Sequence, residues 1–327
     1  MFGQPSIDLT HFVVPGPRCS RLLPARGLLV PVFASLLLVG CGRREPADPV
    51  EDSETSGRIS IAAAPDVRAL VLAQVGAFQA GYPQARCTVR DPESSAQVIS
   101  ELLGGRADVA AAGRELEDEE RRMASQNGIE LEGHRIAQDG MCVVVRASNP
   151  VRNVTLGELQ RILRGELTQW GALGGRDERI VPVLPPLSGD LARAFARRVL
   201  AGEPVRAAAI VEDSDSAVVE RVQDTPGAFG VVPLALATGD PRVRALAIAA
   251  LEGTTYVDPD MESVHDGSYP LSRYVNLFIR TRASRLAGGF VTFVSSQPGQ
   301  ELVLASGRVP TAVPLRFVRR SPLLGSH

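Results

Sequence analysis

The sequence predicts an α/β protein that is large enough for two domains. Beyond residue 57, short apolar runs of strand length alternate with longer segments in which apolar side chains recur at helical spacing. This alternation is typical of mostly parallel sheets covered by helices. The 327 residues, of which 44% are hydrophobic and 22% charged, are enough for two domains of about 100 to 200 residues each.

Residues 1–40 have the features of a secretory signal. Three arginines between residues 18 and 26 precede the apolar run 27–39, which is shorter than the roughly 20 residues needed to span a bilayer. A positive flank, a short apolar core and a small residue before the cut mark such signals. Because Leu38-Val39-Gly40-Cys41 resembles a bacterial lipobox, we expect lipidation of Cys41. Ordinary cleavage or a short buried helix remains the alternative.

The segment after Cys41 is polar and charged, so it buries too little apolar surface to order itself. We therefore expect residues 41–57 to form a flexible tether that holds the protein at the cell envelope, facing the periplasm or the cell exterior. In that oxidising compartment Cys87 and Cys142 either pair or stay as two buried thiols, since pairing requires Cα atoms within about 7 Å.

The first half of the domain alternates regularly between strands and helices. Its expected elements are strand 58–63, helix 67–81, strand 85–89, helix 96–103, strand 107–112, helix 115–127 and strand 136–146. Pro83 closes the first helix, because proline lacks an N–H and clashes inside a helix. The crossovers between parallel strands should be right-handed.

A second α/β region follows the break at Asn149-Pro150. Its first helix, 156–163, has Thr155 as N-cap and Glu158 at the capping-box position. A turn-rich stretch, 258–268, precedes the last strand. The remaining expected elements are strand 180–184, helices 190–200 and 216–223, strands 228–232 and 274–279, and helices 286–295 and 299–305.

Several of these segments, in order, resemble the phosphate-type solute-binding proteins of ABC importers. The most specific is 156–175, a helix followed by a Gly-Trp-Gly-Gly pattern that contains Trp170, the only tryptophan. The other resembling segments are 104–116, 136–151, 226–234, 269–279 and 290–310.

The resemblance implies a type II periplasmic-binding-protein fold of two α/β lobes, each with a mostly parallel sheet. We expect one lobe from 58–146 plus 269–316, the other from 147–268, and a frayed tail at 317–327. The ligand would lie between the lobes, which would close on it by a hinge motion. The implied function is binding of phosphate or a related small oxyanion by a monomer, without a cofactor, for uptake through an ABC permease.

Helix N-termini hold anions, because their first N–H groups lack partners and the helix dipole is positive there. The resemblance places Ser94 and Ser95 at one such helix start, with Ser95 at the position of the family's ligand-touching serine. Ser188, Gly189 and Asp190 stand where the family has Ser-Gly-Thr. The alternative role for Ser94 or Ser95 is that of a simple helix N-cap.

The sequence departs from the family pattern at three places in the pocket. Residues 62–66 include no hydroxyl side chain, and Pro65 has no backbone N–H to donate to an anion. The family's arginine falls on Leu184, so Arg114 either replaces it from the other lobe or is a solvated surface arginine.

Asp190 brings a carboxylate to the anion. Two like charges about 4 Å apart cost about 4 kcal/mol at an effective dielectric near 20. Asp190 therefore either accepts a hydrogen bond from a protonated oxyanion or faces solvent at the helix N-terminus.

Other function classes find little support in the sequence. A net charge of -2 argues against nucleic-acid binding, which favours a basic face. The four histidines, at positions 11, 134, 265 and 327, have no zinc or hydrolase spacing, so we expect neither a metal site nor an enzyme. The remaining alternative is a sensor or interaction lipoprotein that uses the same fold with an altered or decayed ligand site.

Overall fold

The structure, a computed structural model, describes residues 52–311. The expected signal, Cys41, most of the tether and the frayed tail lie outside these residues. Between residues 52 and 311, the longest helices are too short and too polar to cross a bilayer.

The first elements confirm the expected alternation of strands and helices. β1 lies between β2 and β3 and is parallel to both. In order, the elements are β1 (Gly57–Ala63), α1 (Arg68–Gly81), β2 (Ala85–Arg90), α2 (Ser95–Leu103), β3 (Val109–Ala112), α3 (Asp118–Gln126) and β4 (Leu131–Arg146).

Many of the later elements are short, and several were not expected. They are β5 (Asn153–Thr155), α4 (Leu156–Leu163), β6 (Val181–Leu184), α5 (Asp190–Leu200), β7 (Ile210–Val211), α6 (Asp215–Asp224), β8 (Ala228–Pro233), α7 (Leu234–Gly239), β9 (Val243–Ala245), β10 (Ala247–Ala249), α8 (Met261–His265), β11 (Ser272–Arg280), α9 (Arg285–Ser295), α10 (Gln297–Ala305) and β12 (Val309–Pro310). The five-residue α8 lies inside the stretch expected to consist of turns. A segment this short shows no helical periodicity.

β4 is the strand that joins the two halves of the protein. Its residues 131–140 pair antiparallel with β11, and residues 141–145 pair antiparallel with β8. The strand order is β2-β1-β3-β11-β4-β8-β6-β7. The sheet as a whole is therefore mixed: β1 and β6 are parallel to both of their neighbours, whereas β4, which crosses between the halves, and β11 run antiparallel to theirs.

Two hydrophobic cores lie on either side of this crossing. The first contains residues 59–137 and 275–303, and the second residues 141–271 with Val309. We call the two halves the first and second lobe. In the second core, Trp170 Nε1 donates to the Gly227 carbonyl at 2.8 Å and the indole packs edge-on against Phe229. The lobe bounds expected from the sequence stay a prediction.

The structure tests two local predictions, the capping box at the start of α4 and the state of the two cysteines. The capping box at α4 is confirmed, because Thr155 Oγ1 accepts from the Glu158 N–H at 3.0 Å and Glu158 Oε2 accepts from the Thr155 N–H at 2.7 Å. Cys87 and Cys142 are unpaired thiols, so the disulfide alternative is wrong. Burial raises the pKa of Cys87 to about 11.

Candidate functional site

Four loops between a strand and the following helix meet in a cleft between the lobes. They are residues 64–66 after β1, 93–95 after β2, 185–190 after β6 and 213–215 before α6. The cleft has a volume of about 360 Å³. It lies at the carboxyl ends of the strands, where open α/β sheets bind their ligands.

Asp190 joins the two walls of this cleft. It is the first residue of α5, in the second lobe, yet it is only 4% exposed. Its Oδ2 accepts a hydrogen bond from Ser95 Oγ at 2.5 Å and another from the Gly113 N–H at 3.0 Å. Ser95 and Gly113 both belong to the first lobe, so the alternative that Asp190 faces solvent is wrong.

Arg114 lies beside this contact and is 3% exposed, so the surface-arginine alternative is also wrong. Its Nη1 and Nη2 donate to the two carboxylate oxygens of Glu120 at 2.8 and 2.7 Å. Its Nε lies 3.6 Å from Asp190 Oδ1 and has no hydrogen-bond partner among residues 52–311. Arg114 thus directs an open donor at the carboxylate.

We call Ser95 Oγ, the Gly113 N–H and Arg114 Nε the donor cluster. Burial raises the pKa of Asp190, and the charge of Asp66 adds to this effect, whereas the Ser95 hydrogen bond and the guanidinium groups of Arg273 and Arg114 oppose it. Oδ2 accepts two hydrogen bonds and Oδ1 faces a guanidinium. Both carboxylate oxygens of Asp190 therefore lie next to donor groups of the first lobe.

The other expected site residues lie around the same cleft. Ser94 is the N-cap of α2, with its Oγ accepting from the Gln97 N–H at 3.4 Å. Ser188 is exposed at the cleft and Gly189 is the half-buried N-cap of α5. Leu184 is buried in the second core and provides no donor.

The charged side chains that line the cleft are all acidic. They are Asp66, Glu93, Asp190, Asp213 and Asp215. A second cleft, of about 670 Å³, lies next to Arg114 and contains charges of both signs. Its charged lining residues are Arg114, Glu115, Glu117, Asp118, Arg197 and Arg273. A free anion in the first cleft would thus meet no cationic side chain among the lining residues and would depend on hydroxyl and amide donors such as those of Ser95, Ser188 and Gly189.

A buried ion network lies next to the donor cluster, since Arg273 Nη1 also contacts the Gly113 carbonyl at 3.4 Å, and no sequence pattern indicates this network. Arg273 Nη1 lies 2.7 Å from Asp66 Oδ2 and its Nη2 lies 3.1 Å from Asp139 Oδ2. A Cβ added at Gly113 would collide with both Asp66 and Arg273. A side chain at position 113 would therefore displace the ion pair between Asp66 and Arg273.

Comparison with known proteins identifies the family. Residues 49–298 match the family model of the PBP superfamily domain. This chain belongs to the PBP superfamily. Phosphate-binding protein PstS of Bacillus subtilis is 28% identical over 291 residues, which cover 86% of this chain and 92% of that protein.

Solved structures agree on the fold. An ABC-type phosphate transport receptor from Vibrio cholerae is 26% identical with a TM-score of 0.66, covering 77% of this chain and 99% of that one. PstS from Borrelia burgdorferi is 20% identical with a TM-score of 0.61, covering 78% and 99%. The two-lobed α/β prediction and the resemblance to phosphate-type binding proteins are confirmed. The names of these relatives are those of binding proteins, in agreement with the prediction of a non-enzyme.

No metal centre is evident in the part of the chain that the structure describes. Within residues 52–311, no three His, Cys, Asp or Glu side chains are arranged to hold a metal ion.

Asp215, the first residue of α6, lines the first cleft and has a raised pKa. Burial raises its pKa to about 6, and the charges of Asp66 and Asp139 add to this effect, while Arg273 and Arg308 oppose it. The fold therefore favours the neutral carboxyl. This stabilising contribution is complete below about pH 4, the pKa of an unfolded aspartate, and is lost as the pH rises through 6.

Asp215→Asn, which does not titrate, is expected to remove this pH dependence. Between pH 4.5 and pH 7 the free energy of unfolding of the wild type should fall by about 2 kcal/mol relative to the variant, as measured by urea unfolding. Asp213→Asn, an exposed neighbour, is the control and should keep the wild-type dependence. Parallel curves for the wild type and Asp215→Asn would contradict the assignment.

Proposed function

We propose that this protein is an exported solute-binding protein that binds phosphate or a closely related oxyanion between its lobes for uptake through an ABC permease. The family and the names of its relatives support this function. Both walls of the cleft come from a single chain, which supports a monomer.

The observation that carries the proposal is the pair of hydrogen bonds from Ser95 Oγ and the Gly113 N–H to one carboxylate oxygen. These donors already hold an oxyanion, and carboxylate and phosphate oxygens accept the same charge-assisted hydrogen bonds. Ser95 is also the first residue of α2, where the helix dipole favours negative charge.

The remaining contacts are assigned to residues on both walls. Arg114 supplies the positive charge from the first lobe through its open Nε. Ser188 and the backbone of Gly189 supply the contacts from the second lobe, because both line the cleft at the start of α5. Ser94 shapes the start of α2 as its N-cap.

With Asp190 replaced by Ala, so that no carboxylate occupies the donors, Ser95→Ala is expected to weaken phosphate binding about tenfold, because a hydrogen bond to a charged group contributes about 1.5 to 3 kcal/mol. Isothermal titration calorimetry with phosphate, and with sulfate for comparison, measures this loss. Ser284→Ala is the matched control. Ser284 caps α9 by accepting from the Ala287 N–H at 3.2 Å and does not line the cleft, so its loss should leave the affinity unchanged.

A second candidate function is favoured by the presence of Asp190 within the donor cluster. It is that of a sensor or interaction lipoprotein that uses the same fold with an altered or decayed ligand site and does not take up solute. The two candidates separate in a thermal-shift titration of the wild type. A ligand that binds only the folded state adds about 2.7 kcal/mol of stability at a hundred times its dissociation constant. Saturable stabilisation by phosphate supports uptake, and its absence at millimolar phosphate in the wild type and in Asp190 variants supports the second candidate.

We further propose that Cys41 carries the lipid that holds the protein at the membrane. The support is the sequence of residues 38–41 and the polar segment that follows them. A lipid on Cys41 needs no membrane-spanning helix, since acyl chains bury in the bilayer by themselves.

Cys41→Ser is expected to abolish incorporation of labelled fatty acid and to release the protein from washed membranes. Cys19→Ser is the control, because Cys19 lies within the expected signal and should have no effect. Labelling of the Cys41→Ser protein equal to that of the wild type would contradict the assignment.

A further inference from the structure

The protein fills its own oxyanion site with one of its side chains. Asp190 belongs to the second lobe, whereas Ser95, Gly113 and Arg114 belong to the first. The carboxylate therefore crosses the cleft and makes the contacts that the proposed function assigns to a solute.

We propose that Asp190 is a built-in competitor of the solute: its carboxylate holds the lobes together through the donor cluster, and a solute oxyanion binds only by displacing it. This inference rests on the proposed function, because it concerns the same site.

Displacement is required because the donors cannot serve two anions at once. The Ser95 hydroxyl and the Gly113 amide each have one hydrogen, and both point to Asp190 Oδ2. A second anion about 4 Å from the carboxylate would lose about a thousandfold in affinity to charge repulsion. The other charged side chains of the cleft are also acidic and add to this repulsion.

Separation of the lobes provides a route for the displacement. The only other ion pair between α5 and the first lobe within residues 52–311 joins Arg197 to Glu117 at 3.5 Å. Both side chains are about half exposed, by 49% and 44%, and exposed ion pairs contribute little to stability. The buried contact of Asp190 is therefore the main polar link between α5 and the donor cluster.

The competition lowers the apparent affinity. A solute binds only the fraction of molecules in which Asp190 has left the donor cluster, and the apparent dissociation constant is the intrinsic one divided by that fraction. Removing the carboxylate raises this fraction to one.

Asp190→Ala is the direct test, with calorimetry of phosphate binding and small-angle X-ray scattering of the purified full chain. The variant is expected to bind phosphate at least about tenfold more tightly than the wild type. Its radius of gyration without solute should exceed that of the wild type and should decrease when phosphate is added. Circular dichroism verifies that each variant is folded.

Two further variants separate charge, shape and position. Asp190→Asn keeps the size of the side chain and one acceptor oxygen, so it is expected to fall between the wild type and Asp190→Ala in both measurements. Asp213→Asn removes an equal charge from the rim of the same cleft. Within residues 52–311 no hydrogen bond or ion pair joins Asp213 to the donor cluster, so its effect on affinity should be under about threefold by surface-charge screening.

The calorimetry and the scattering together distinguish failure of the competition from failure of the proposed function. Equal phosphate affinities for the wild type and Asp190→Ala, or an equal gain from Asp213→Asn, would overturn the competition. If no variant binds phosphate or sulfate, the proposed function is wrong, and the scattering alone then tests the role of Asp190. A larger solute-free radius for Asp190→Ala would then support Asp190 as the link between the lobes, and an unchanged radius would overturn it.

Discussion

The buried hydrogen bonds from Ser95 and Gly113 to the Asp190 carboxylate join the two walls of the cleft between the lobes. They connect the start of α2 and the loop after β3 to the start of α5. A buried carboxylate is costly unless it is hydrogen-bonded and close to opposite charge. Both conditions hold here, because two donors and the Arg114 guanidinium surround Asp190. The cost of leaving that carboxylate unpaired favours the closed arrangement of the lobes.

Charge compensation extends from this contact to Asp139 on β4 and Arg273 on β11. Arg114 is neutralised mainly by Glu120, on its own lobe, and Arg273 by Asp66 and Asp139. These guanidinium groups are therefore already paired, and the first lobe offers an incoming anion few unpaired positive charges. A phosphate ion must obtain its binding energy from the few open donors and from the place vacated by Asp190.

Much of the fold follows from local patterns, but the site follows from them only in part. The helices, the capping box at Thr155 and the collinear family segments are visible in the sequence, since each depends on neighbouring residues. The sequence also indicates that Asp190 is unusual. It does not reveal the burial of Arg114, the amide of Gly113 or the pairing of Arg273 with Asp66, because these depend on contacts between residues far apart in the chain. The short elements that were not expected, β5, β7, α7, β9, β10 and α8, are hidden for a different reason, since they are too short to show a period.

The most direct test of an oxyanion site within the donor cluster is a crystal structure of the protein grown with phosphate. We predict a phosphate oxygen within hydrogen-bond distance, about 2.5 to 3.2 Å, of Ser95 Oγ and the Gly113 amide, with the Asp190 carboxylate displaced from both. A phosphate bound elsewhere, with Asp190 still accepting from Ser95 and Gly113, would contradict it.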